Sequence, residues 1–357
     1  MRLLICAGGT GGGVYPALAV HEALKVETLW VGGEGGMEAQ LIERVGIPFK
    51  AIPAAGVHGV DLRQLPGNLA KLARGVSASR RILREFQPDV LFFTGGYVAV
   101  PMALAGRKIP SLLYVPDIEP GLALKTLARF ADRIALTAED SFPFFERRSR
   151  LAVTGYPARP GLAKWSRPEA RRTLNLSEEA PVLLVVGGSK GARSINNAVL
   201  THLPALLEMA QIVHISGELD WPEVEAKARQ LKAPRYHAFP YLHEEMGAAL
   251  AAADLALSRA GASTLGEYPL FGLPSILVPY PYAWRYQKVN AGYLVRNGAA
   301  IMLEDARLAG ELLPAVRGLL GEPARLEAMR GAVRSLARPQ AASEIGRLLL
   351  ELSGERN

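Results

Sequence analysis

Two glycine-rich turns, one near the start of the chain and one near its middle, constrain the fold more than any other feature. Residues 3–20 (LLICAGGTGGGVYPALAV) and 182–199 (VLLVVGGSKGARSINNAV) each pass from an aliphatic run through glycines into a helical pattern. Glycines let the backbone approach a ligand closely, and the following helix directs unpaired N–H groups and a partial positive charge at it. Each half therefore predicts the first strand, turn and helix of a nucleotide fold with an anion site, and we expect the chemistry in the cleft between the halves.

The order of the remaining elements agrees with two such domains. A chain of 357 residues is long enough for roughly two domains, and alternating apolar runs and helical patterns predict parallel sheets covered by helices. We expect an N-terminal domain over 1–158, a C-terminal domain over 159–335, and a final helical segment, 336–357, that packs back toward the first. The predicted strands are 3–6, 28–31, 49–52, 90–93, 111–115, 133–137 and 151–154, then 182–186, 211–216, 236–239, 255–258, 275–278 and 300–303.

Composition excludes several classes of protein. The single cysteine, Cys6, lies in an aliphatic run, so the sequence offers no intrachain disulfide. Neither Asp-x-Asp nor a histidine-rich cluster occurs, so no metal and no other cofactor is expected. The N-terminus lacks a signal-peptide pattern and no apolar run could span a membrane, which predicts a cytoplasmic location. The net charge of +7 favours acidic partners, and no nucleic acid is expected among them.

Neither glycine-rich loop matches the two best-known phosphate-binding signatures. The dinucleotide fingerprint needs glycines at i, i+2 and i+5, which no register of residues 8–13 supplies. The P-loop needs Gly-Lys followed by Ser or Thr, whereas the second loop reads Gly-Ser-Lys-Gly at 188–191. A dehydrogenase and a P-loop NTPase are therefore both disfavoured.

The most specific polar motif is SRAGASTLGE at 258–267, directly after an aliphatic run. Ser263 or Thr264 could cap the next helix, whose N–H groups would then face an anion. Glu267 falls about one turn into that helix, where its carboxylate could accept both hydroxyls of a ribose. The same carboxylate could instead only complement the helix dipole.

Six motifs in order resemble the MurG family of peptidoglycan glycosyltransferases. They span almost the whole chain, at 8–16 (GGTGGGVYP), 94–98 (TGGYV), 155–159 (GYPAR), 187–192 (GGSKGA), 258–267 and 279–291 (PYPYAWRYQKVNA). The resemblance implies an α/β protein of GT-B architecture, with two Rossmann-like domains whose parallel sheets face across a deep cleft. It implies an inverting, UDP-GlcNAc-dependent enzyme without a metal, which adds GlcNAc to the MurNAc 4-hydroxyl of lipid I at the inner face of the cell membrane.

The family's site residues carry over to positions in both halves of this chain. The resemblance assigns the UDP diphosphate and ribose, the uracil, and the sugar hydroxyls to the C-terminal half, and the acceptor to the first glycine loop and the turn near residue 95. Arg159 could instead be a linker surface charge, and Gln287 an ordinary helix-surface residue. The donor-site residues are Arg159, Ser189, Ala262, Ser263, Thr264 and Glu267, with Tyr241 and Leu242 for the uracil and Gln287 and Asn290 for the sugar, and the acceptor-loop residues are Thr10, Gly11, Gly12, Gly13, Gly95, Gly96 and Tyr97.

The chain departs from the family at the position of a candidate catalytic base. The family's first loop ends in histidine, where this chain has Gly13, which cannot accept a proton. We expect Asp117, at the position of a family asparagine, or His58, in the loop AAGVHGVD, to accept the proton of the attacking hydroxyl. Asp117 could instead cap a helix, and His58 could be an exposed loop residue.

The segment 61–86 indicates a contact with anionic lipid. Apolar residues fall near one helical face and basic residues supply positive charge, so the helix could lie on a membrane surface. The apolar face could instead pack on the sheet while the arginines stay solvated. The apolar residues are Leu69, Leu72, Val76, Leu83 and Phe86, and the basic ones are Arg63, Lys71, Arg74, Arg80, Arg81 and Arg84.

Three other functions remain open from the sequence. A GT-B enzyme could use UDP-GlcNAc with a different acceptor, because the N-terminal loops depart from the family. A UDP-GlcNAc epimerase or hydrolase on the same fold would consume the donor without an acceptor. A non-catalytic nucleotide-sugar-binding protein would bind UDP without turnover, a hypothesis that Gly13 motivates.

Overall fold

A computed structural model describes residues 1–8, 11–36, 38–55, 65–159, 161–188, 191–282 and 286–354. The chain divides into two compact units. The first contains Met1–Arg159 together with Pro339–Asn357, and the second contains Pro160–Arg338.

Among the residues that the structure describes, the first unit has a sheet of seven parallel strands. Short 3-10 helices at Glu139–Phe144 and Arg148–Arg150 precede its last strand. Its strands are β1 (Arg2–Ala7), β2 (Glu27–Gly33), β3 (Phe49–Ile52), β4 (Val90–Gly95), β5 (Ser111–Val115), β6 (Arg133–Leu136) and β7 (Leu151–Val153). Its helices are α1 (Gly11–Leu24), α2 (Glu38–Val45), α3 (Leu65–Phe86), α4 (Ala99–Ala105), α5 (Leu122–Leu127) and, after the second unit, the last helix of the chain, Ala341–Gly354.

The strand order in this sheet is β3-β2-β1-β4-β5-β6-β7. Residues 3–7 of β1 are fully buried, as expected for a central parallel strand that is covered on both faces. The order reverses beside β1, which pairs with β2 on one side and β4 on the other. In open α/β sheets ligands bind outside the carboxyl ends of the strands at such a reversal, so the loops after β1 and β4 define the first unit's candidate site.

The last helix completes the first unit. It packs against α1, β4 and β5, and its buried side chains, Ile345, Leu348, Leu349 and Leu352, lie along one face. A Cβ at Gly346 would lie 3.0 Å from Leu24 at the end of α1, so the two helices approach closely there.

The described part of the second unit has a sheet of six parallel strands in the order β10-β9-β8-β11-β12-β13. This order reverses beside β8, so the loops after β8 and β11 define its candidate site. The strands are β8 (Val182–Val186), β9 (Gln211–Ile215), β10 (Tyr236–Phe239), β11 (Leu255–Ser258), β12 (Ser275–Leu277) and β13 (Ala300–Met302). The helices are α6 (Arg167–Thr173), α7 (Arg193–Met209), α8 (Trp221–Leu231), α9 (Met246–Ala252), α10 (Glu267–Phe271), α11 (Tyr286–Arg296), α12 (Leu308–Leu320) and α13 (Pro323–Ser335), so the last helix of the chain is α14; short 3-10 helices lie at Leu162–Lys164, Ala262–Leu265 and Asp305–Arg307.

The thirteen predicted strands are confirmed, with ends that differ by at most two residues. Each sheet has its own apolar core. In the first unit Leu4, Phe93 and Leu113 are among the core residues, and in the second Leu183, Ile212 and Leu257. The long apolar runs identified the strands because a parallel sheet buries both of its faces.

The two halves of helix α3, which covers most of the predicted amphipathic segment, have different surroundings. Leu83 is buried in the core of the first unit and Phe86 packs against that core, so the end of the helix lies on the sheet. Leu69 is 51% exposed near its start, and Lys71 and Arg74 are exposed beside it. Packing on the sheet therefore explains the apolar face only in the second half of α3. Residues 61–64, including Arg63, lie outside the described residues.

Candidate functional site

The candidate site of the first unit starts at the glycine loop after β1. Gly8 ends the described part of this loop, Thr10 lies outside the described residues, and Gly11, Gly12 and Gly13 form the first turn of α1. The hydroxyl of Thr94 in β4 donates to the carbonyl oxygen of Gly13 over 2.8 Å. A Cβ at Gly13 would lie 3.2 Å from the Thr94 carbonyl oxygen, so this strand leaves little space for a side chain at the position where the family has histidine.

The loop after β4 meets the glycine loop backbone to backbone. Gly95 and Gly96 both have positive φ, at +116° and +84°, and a Cβ at Gly96 would lie only 2.7 Å from the carbonyl oxygen of Gly8. Glycine is therefore required at Gly96 both by its left-handed conformation and by this close approach. Tyr97 follows with 55% of its surface exposed, so it is available to a ligand at this edge.

A buried carboxylate, which the sequence analysis did not identify, lies against the glycine loop. Glu38, the first residue of α2, is 4% exposed, and its Oε1 accepts a hydrogen bond from the Gly33 backbone N–H over 2.9 Å. A Cβ at Gly8 would come within 2.5 Å of the same oxygen. Burial and the negative charge of Glu38 together raise the pKa of the Cys6 thiol, so Cys6 remains a protonated core residue at neutral pH.

Asp117 lies at the same edge of the sheet, two residues after β5, and is half-buried. The neighbouring Tyr114 hydroxyl forms a 2.8 Å hydrogen bond with Thr137. Burial raises the pKa of Tyr114, the Thr137 hydrogen bond opposes the rise, and the charge of Asp117 adds to it. A carboxylate in this position could accept a proton from a hydroxyl brought to the carboxyl ends of β4 and β5. The other base candidate, His58, lies outside the described residues.

Arg159 belongs to the first unit, and its guanidinium carbon lies 4.7 Å from the ring centroid of Tyr15. Tyr15 is in α1, one turn after the glycine loop. The structure therefore brings Arg159 together with the helix that follows the acceptor loop, within cation–π distance of its aromatic ring.

The candidate site of the second unit starts at the glycine loop after β8. Gly188 and Gly191 have positive φ, and Ser189 lies outside the described residues. A Cβ at Gly191 would collide with the carbonyl oxygen of Ser216, so the loop is pressed against the end of β9. Helix α7 then begins at Arg193 and runs for 17 residues, so its N-terminal N–H groups are directed to this edge of the sheet.

The segment after β11 differs from the prediction in one respect. Ala262, Ser263 and Thr264 form a short 3-10 helix, and α10 begins at Glu267 with Gly266 as its N-cap and without a side-chain cap. The expectation that Ser263 or Thr264 caps the next helix is therefore wrong, because the Thr264 hydroxyl donates to the Gly261 carbonyl oxygen over 2.7 Å. Glu267 is half-buried in the first turn of α10 rather than one turn into it.

The predicted sugar ligands occupy two different environments. Asn290 is fully buried, and its amide donates to the Ala260 carbonyl oxygen over 3.2 Å, which ties α11 to the segment after β11. Gln287 is half-buried, and its Oε1 accepts the backbone N–H of Tyr280 over 2.9 Å. The two residues thus support loops at the carboxyl edge through the backbone of Ala260 and Tyr280.

The predicted uracil residues lie in the loop between β10 and α9. Tyr241 is half-buried, and its ring lies 4.6 Å from that of His243. Leu242 is buried and lines a cavity of about 410 Å³ together with the apolar Leu174 and Phe239 and the polar Thr173, Asn175, His237 and Glu245. Tyr241 is not among the residues that line this cavity.

Two hydrogen-bonded networks in the second unit involve residues that the sequence analysis did not identify. One links Asn196 in α7 to His214 in β9 and Asp220 before α8. The other links Arg259, directly after β11, to Ser194 and Asp305. The sequence shows that a polar residue stands next to the end of a strand. It does not show which distant residue is its hydrogen-bond partner.

Within the described ranges, no group of three or more His, Cys, Asp or Glu side chains could hold a metal ion. None of the helices in those ranges combines the length and apolar character needed to cross a bilayer.

Known family models and relatives match this chain over nearly its full length. The model of the glycosyltransferase family 28 N-terminal domain matches residues 3–136, and the model of the family 28 C-terminal domain matches residues 182–345. A Roseiflexus relative is 41% identical over 98% of this chain and 94% of its own, and a Desulforudis audaxviator relative is 40% identical over 99% of both. Both are UDP-N-acetylglucosamine–N-acetylmuramyl-(pentapeptide) pyrophosphoryl-undecaprenol N-acetylglucosamine transferases.

Solved structures similar to this chain over nearly its full length include two that bear on its fold. The crystal structure of Acinetobacter baumannii MurG has a TM-score of 0.78 and 27% identity, over 98% of this chain and 99% of that one. UDP-GlcNAc 2-epimerase from Neisseria meningitidis has a TM-score of 0.70 at 14% identity, over 98% of this chain and 100% of that one, which shows a shared fold.

Proposed function

This chain belongs to glycosyltransferase family 28, and on that premise we propose that it transfers GlcNAc from UDP-GlcNAc to undecaprenyl-pyrophosphoryl-MurNAc-pentapeptide. The acceptor group is the MurNAc 4-hydroxyl, so the enzyme converts lipid I to lipid II in peptidoglycan synthesis. The observation that carries the proposal is about 40% identity over almost the full length to relatives named for this reaction.

We propose that the second unit binds the donor. The α7 N-terminus and the loop at Ser189 would hold the diphosphate together with residues 262–264, and Arg159, the one proposed donor ligand outside the second unit, would add a positive charge. Glu267 would accept the ribose hydroxyls, Tyr241 and Leu242 would contact the uracil, and Gln287 would lie toward the sugar. Asn290, which is fully buried, would act on the sugar site through the backbone of Ala260 that it binds. Support comes from the tight Gly191–Ser216 approach, which fixes the loop before a helix of 17 residues.

The chemistry in this proposal is a single inverting displacement. The acceptor hydroxyl attacks C1 of GlcNAc on the face opposite UDP, a new C1–O bond forms, and the bond from C1 to the diphosphate oxygen breaks. Asp117 would accept the hydroxyl proton, and UDP would leave with its charge stabilised by backbone N–H groups and the helix dipole. Half-burial of Asp117 at the carboxyl end of β5 supports this role, and His58 remains the second candidate.

We propose that the acceptor is bound by the first unit at the glycine loop and Tyr97, with the enzyme peripheral on the inner face of the cell membrane. The first half of α3 would contact anionic lipid, because Leu69 is 51% exposed next to exposed Lys71 and Arg74. Each basic side chain near such a surface contributes about 1 kcal/mol.

The test is the release of UDP from UDP-GlcNAc with and without a lipid I analogue, with the products identified by mass. Release that depends on the acceptor, together with a product heavier by one N-acetylhexosamine, supports the proposal. Equal release without acceptor would indicate an epimerase or hydrolase instead. UDP binding without any release would leave a different acceptor or a non-catalytic binding protein.

A further inference from the structure

Four loops at the carboxyl edge of the second sheet meet at one arginine. Arg259 follows β11 directly, and its Nη1 donates to the carbonyl oxygen of Val278, just after β12, over 3.1 Å. The same nitrogen pairs with Asp305, which follows β13. Nη2 donates to Ser194 Oγ, in the first turn of α7, over 2.9 Å. Ser194 Oγ in turn donates to Asp305 Oδ1 over 2.7 Å, which closes a ring of three side chains.

The ring is largely removed from water. The Arg259 side chain is 12% exposed and the Asp305 side chain 19% exposed. Removing one member of a buried ion pair leaves an uncompensated charge, which strongly destabilises the arrangement around it. The Arg259 guanidinium carbon also lies 5.2 Å from the ring centroid of Tyr280. Hydrogen bonds therefore hold the edge of the guanidinium, and the Tyr280 ring packs against its face.

The hydrogen bonds of Arg259 decide what this residue can do. Both of its terminal nitrogens bind protein atoms, and its positive charge is compensated by Asp305. A guanidinium in that state is poorly placed to bind the phosphates of a nucleotide, although its position in the motif at 258–267 suggests such a contact. Its partners are instead the loops that carry the proposed donor ligands.

We propose that Arg259 is a positioning residue for the donor site, and that its ring with Ser194 and Asp305 locks the four loops in the arrangement that binds the UDP moiety. This inference rests on the proposed function of the second unit. Ser194 lies three residues after Gly191 of the phosphate loop, and Tyr280, under the guanidinium, donates its backbone N–H to Gln287 over 2.9 Å. Loops fixed before the ligand arrives lose less entropy on binding, so the ring raises donor affinity.

The test compares Arg259→Lys and Asp305→Asn with a matched ion-pair variant at the other end of β11. There Arg330 Nη2 lies 3.4 Å from Asp254 Oδ1, and the Arg330 side chain is 14% exposed. Asp254 also pairs with Arg167 and Arg171, so Arg330→Lys changes the same residue type in the same unit without removing all partners of that carboxylate.

Isothermal titration of the full-length chain with UDP gives the first readout. We expect Arg259→Lys and Asp305→Asn each to weaken UDP binding by about 10- to 100-fold, and Arg330→Lys to change it less than twofold. In steady-state assays the donor KM should rise while kcat at saturating donor and the acceptor KM change little. The variant that carries both changes should bind UDP about as tightly as the single variant with the lower UDP affinity, because each change alone already breaks the ring of Arg259, Ser194 and Asp305.

Asp305→Asn separates positioning from direct phosphate binding. A phosphate-binding Arg259 would gain free charge when Asp305 is neutralised, so UDP would bind equally well or more tightly. That result would overturn the proposal. An equal loss of UDP affinity in Arg330→Lys would also overturn it, because the effect would then be general destabilisation.

Hydrogen exchange without ligand tests the ring independently of the proposed function. Residues 191–194, 278–282 and 303–307 should exchange faster in Arg259→Lys and Asp305→Asn than in the parent and in Arg330→Lys. Unchanged exchange in these loops would overturn the proposal. A parent chain that binds UDP but transfers no sugar would contradict the proposed reaction while leaving the positioning result intact, and a parent that binds no UDP would refute the donor site and with it the positioning role.

Discussion

His214 Nε2 lies 2.9 Å from Asn196 Oδ1 at a place where neither residue is more than 1% exposed. The Asn196 amide nitrogen donates to the Ser216 carbonyl oxygen and to Asp220 Oδ2, each over 2.9 Å. Oδ1 is therefore the acceptor, so His214 carries its proton on Nε2 and its Nδ1 accepts from the Tyr236 hydroxyl over 2.8 Å. The network joins the first turns of α7 to the end of β9 through a neutral imidazole.

Asn196→Ala should destabilise the second unit and weaken UDP binding. The change leaves the His214 N–H and the Ser216 and Asp220 oxygens without their amide partner, at a cost of about 2–4 kcal/mol in the free energy of unfolding. Urea denaturation and UDP titration would measure both effects. Asn297→Ala is the matched control, because the Asn297 amide donates to a carbonyl oxygen on an exposed helix end, and a similar loss there would refute the prediction.

The free energy of unfolding should fall as the pH is lowered from 6.5 to 4, because of His214. Burial lowers the pKa of His214 to about 4 in the folded chain, against the ordinary value of 6.5. The unfolded chain therefore binds a proton in this range that the folded chain does not bind. The stabilisation is complete above pH 6.5 and falls by up to about 3 kcal/mol as the pH drops to 4.

His214→Gln isolates this contribution, since glutamine can still donate to Asn196 and accept from Tyr236. Burial also lowers the pKa of His21 and His237, so both add to the slope in the parent and in the variant alike. Denaturation curves across this pH range should show a shallower slope for His214→Gln. If the free energy of unfolding has the same pH dependence in the parent and in His214→Gln, the pH dependence does not come from His214.

Gly96→Ala should be strongly destabilising and should impair use of the acceptor. Its φ of +84° costs an L-residue about 1–2 kcal/mol, and the added Cβ would displace the glycine loop at Gly8. Thermal unfolding and the acceptor KM would measure the two effects. Gly67→Ala is the control, because no atom lies within 4 Å of its Cβ position in α3 and alanine there should stabilise by about 0.5–1 kcal/mol.

Asp117→Asn should lower kcat by about 100-fold or more, because the amide cannot accept the hydroxyl proton. UDP affinity should stay within twofold of the parent. Asp132→Asn makes the same charge change at the opposite edge of the sheet, where Asp132 accepts the Ser111 backbone N–H over 2.8 Å, and it should affect stability rather than turnover. If Asp117→Asn keeps the kcat of the parent, Asp117 is not the base, and His58 remains as the candidate.

Arg74→Glu should weaken binding to vesicles that contain anionic lipid. Charge reversal changes two units of charge, which corresponds to about 2 kcal/mol or roughly a 30-fold weaker partition at low salt. Sedimentation with vesicles would measure this partition. Arg317→Glu, an equal charge change on α12, should partition like the parent; if Arg74→Glu does so as well, α3 is not the lipid contact.

The strands and the position of the candidate sites could be predicted because they depend on local sequence. Runs such as residues 3–6 and 182–186 are too apolar to be exposed, and the glycines that follow mark the carboxyl ends of β1 and β8. Buried apolar runs bounded by glycine or proline therefore predicted the sheets.

The direction of individual polar side chains could not be predicted. The sequence places Glu38 two residues after a Gly-Gly pair but does not show that its carboxylate turns inward beneath Gly8. Arg259 and Asp305 are 46 residues apart, so no local pattern connects them. The capping prediction for Ser263 and Thr264 failed because the chain first forms a 3-10 turn, in which the Thr264 hydroxyl already donates to Gly261.

The return of α14 to the first unit affects the order in which the chain can fold during synthesis. Helix α14 packs against α1, β4 and β5, yet the ribosome makes the whole second unit before it makes residues 341–354. The apolar surface of the first unit that α14 covers therefore stays exposed until residues 341–354 have been made. The first unit is therefore completed only after the second unit has been made, and until then its nascent form exposes apolar surface of the kind that promotes aggregation.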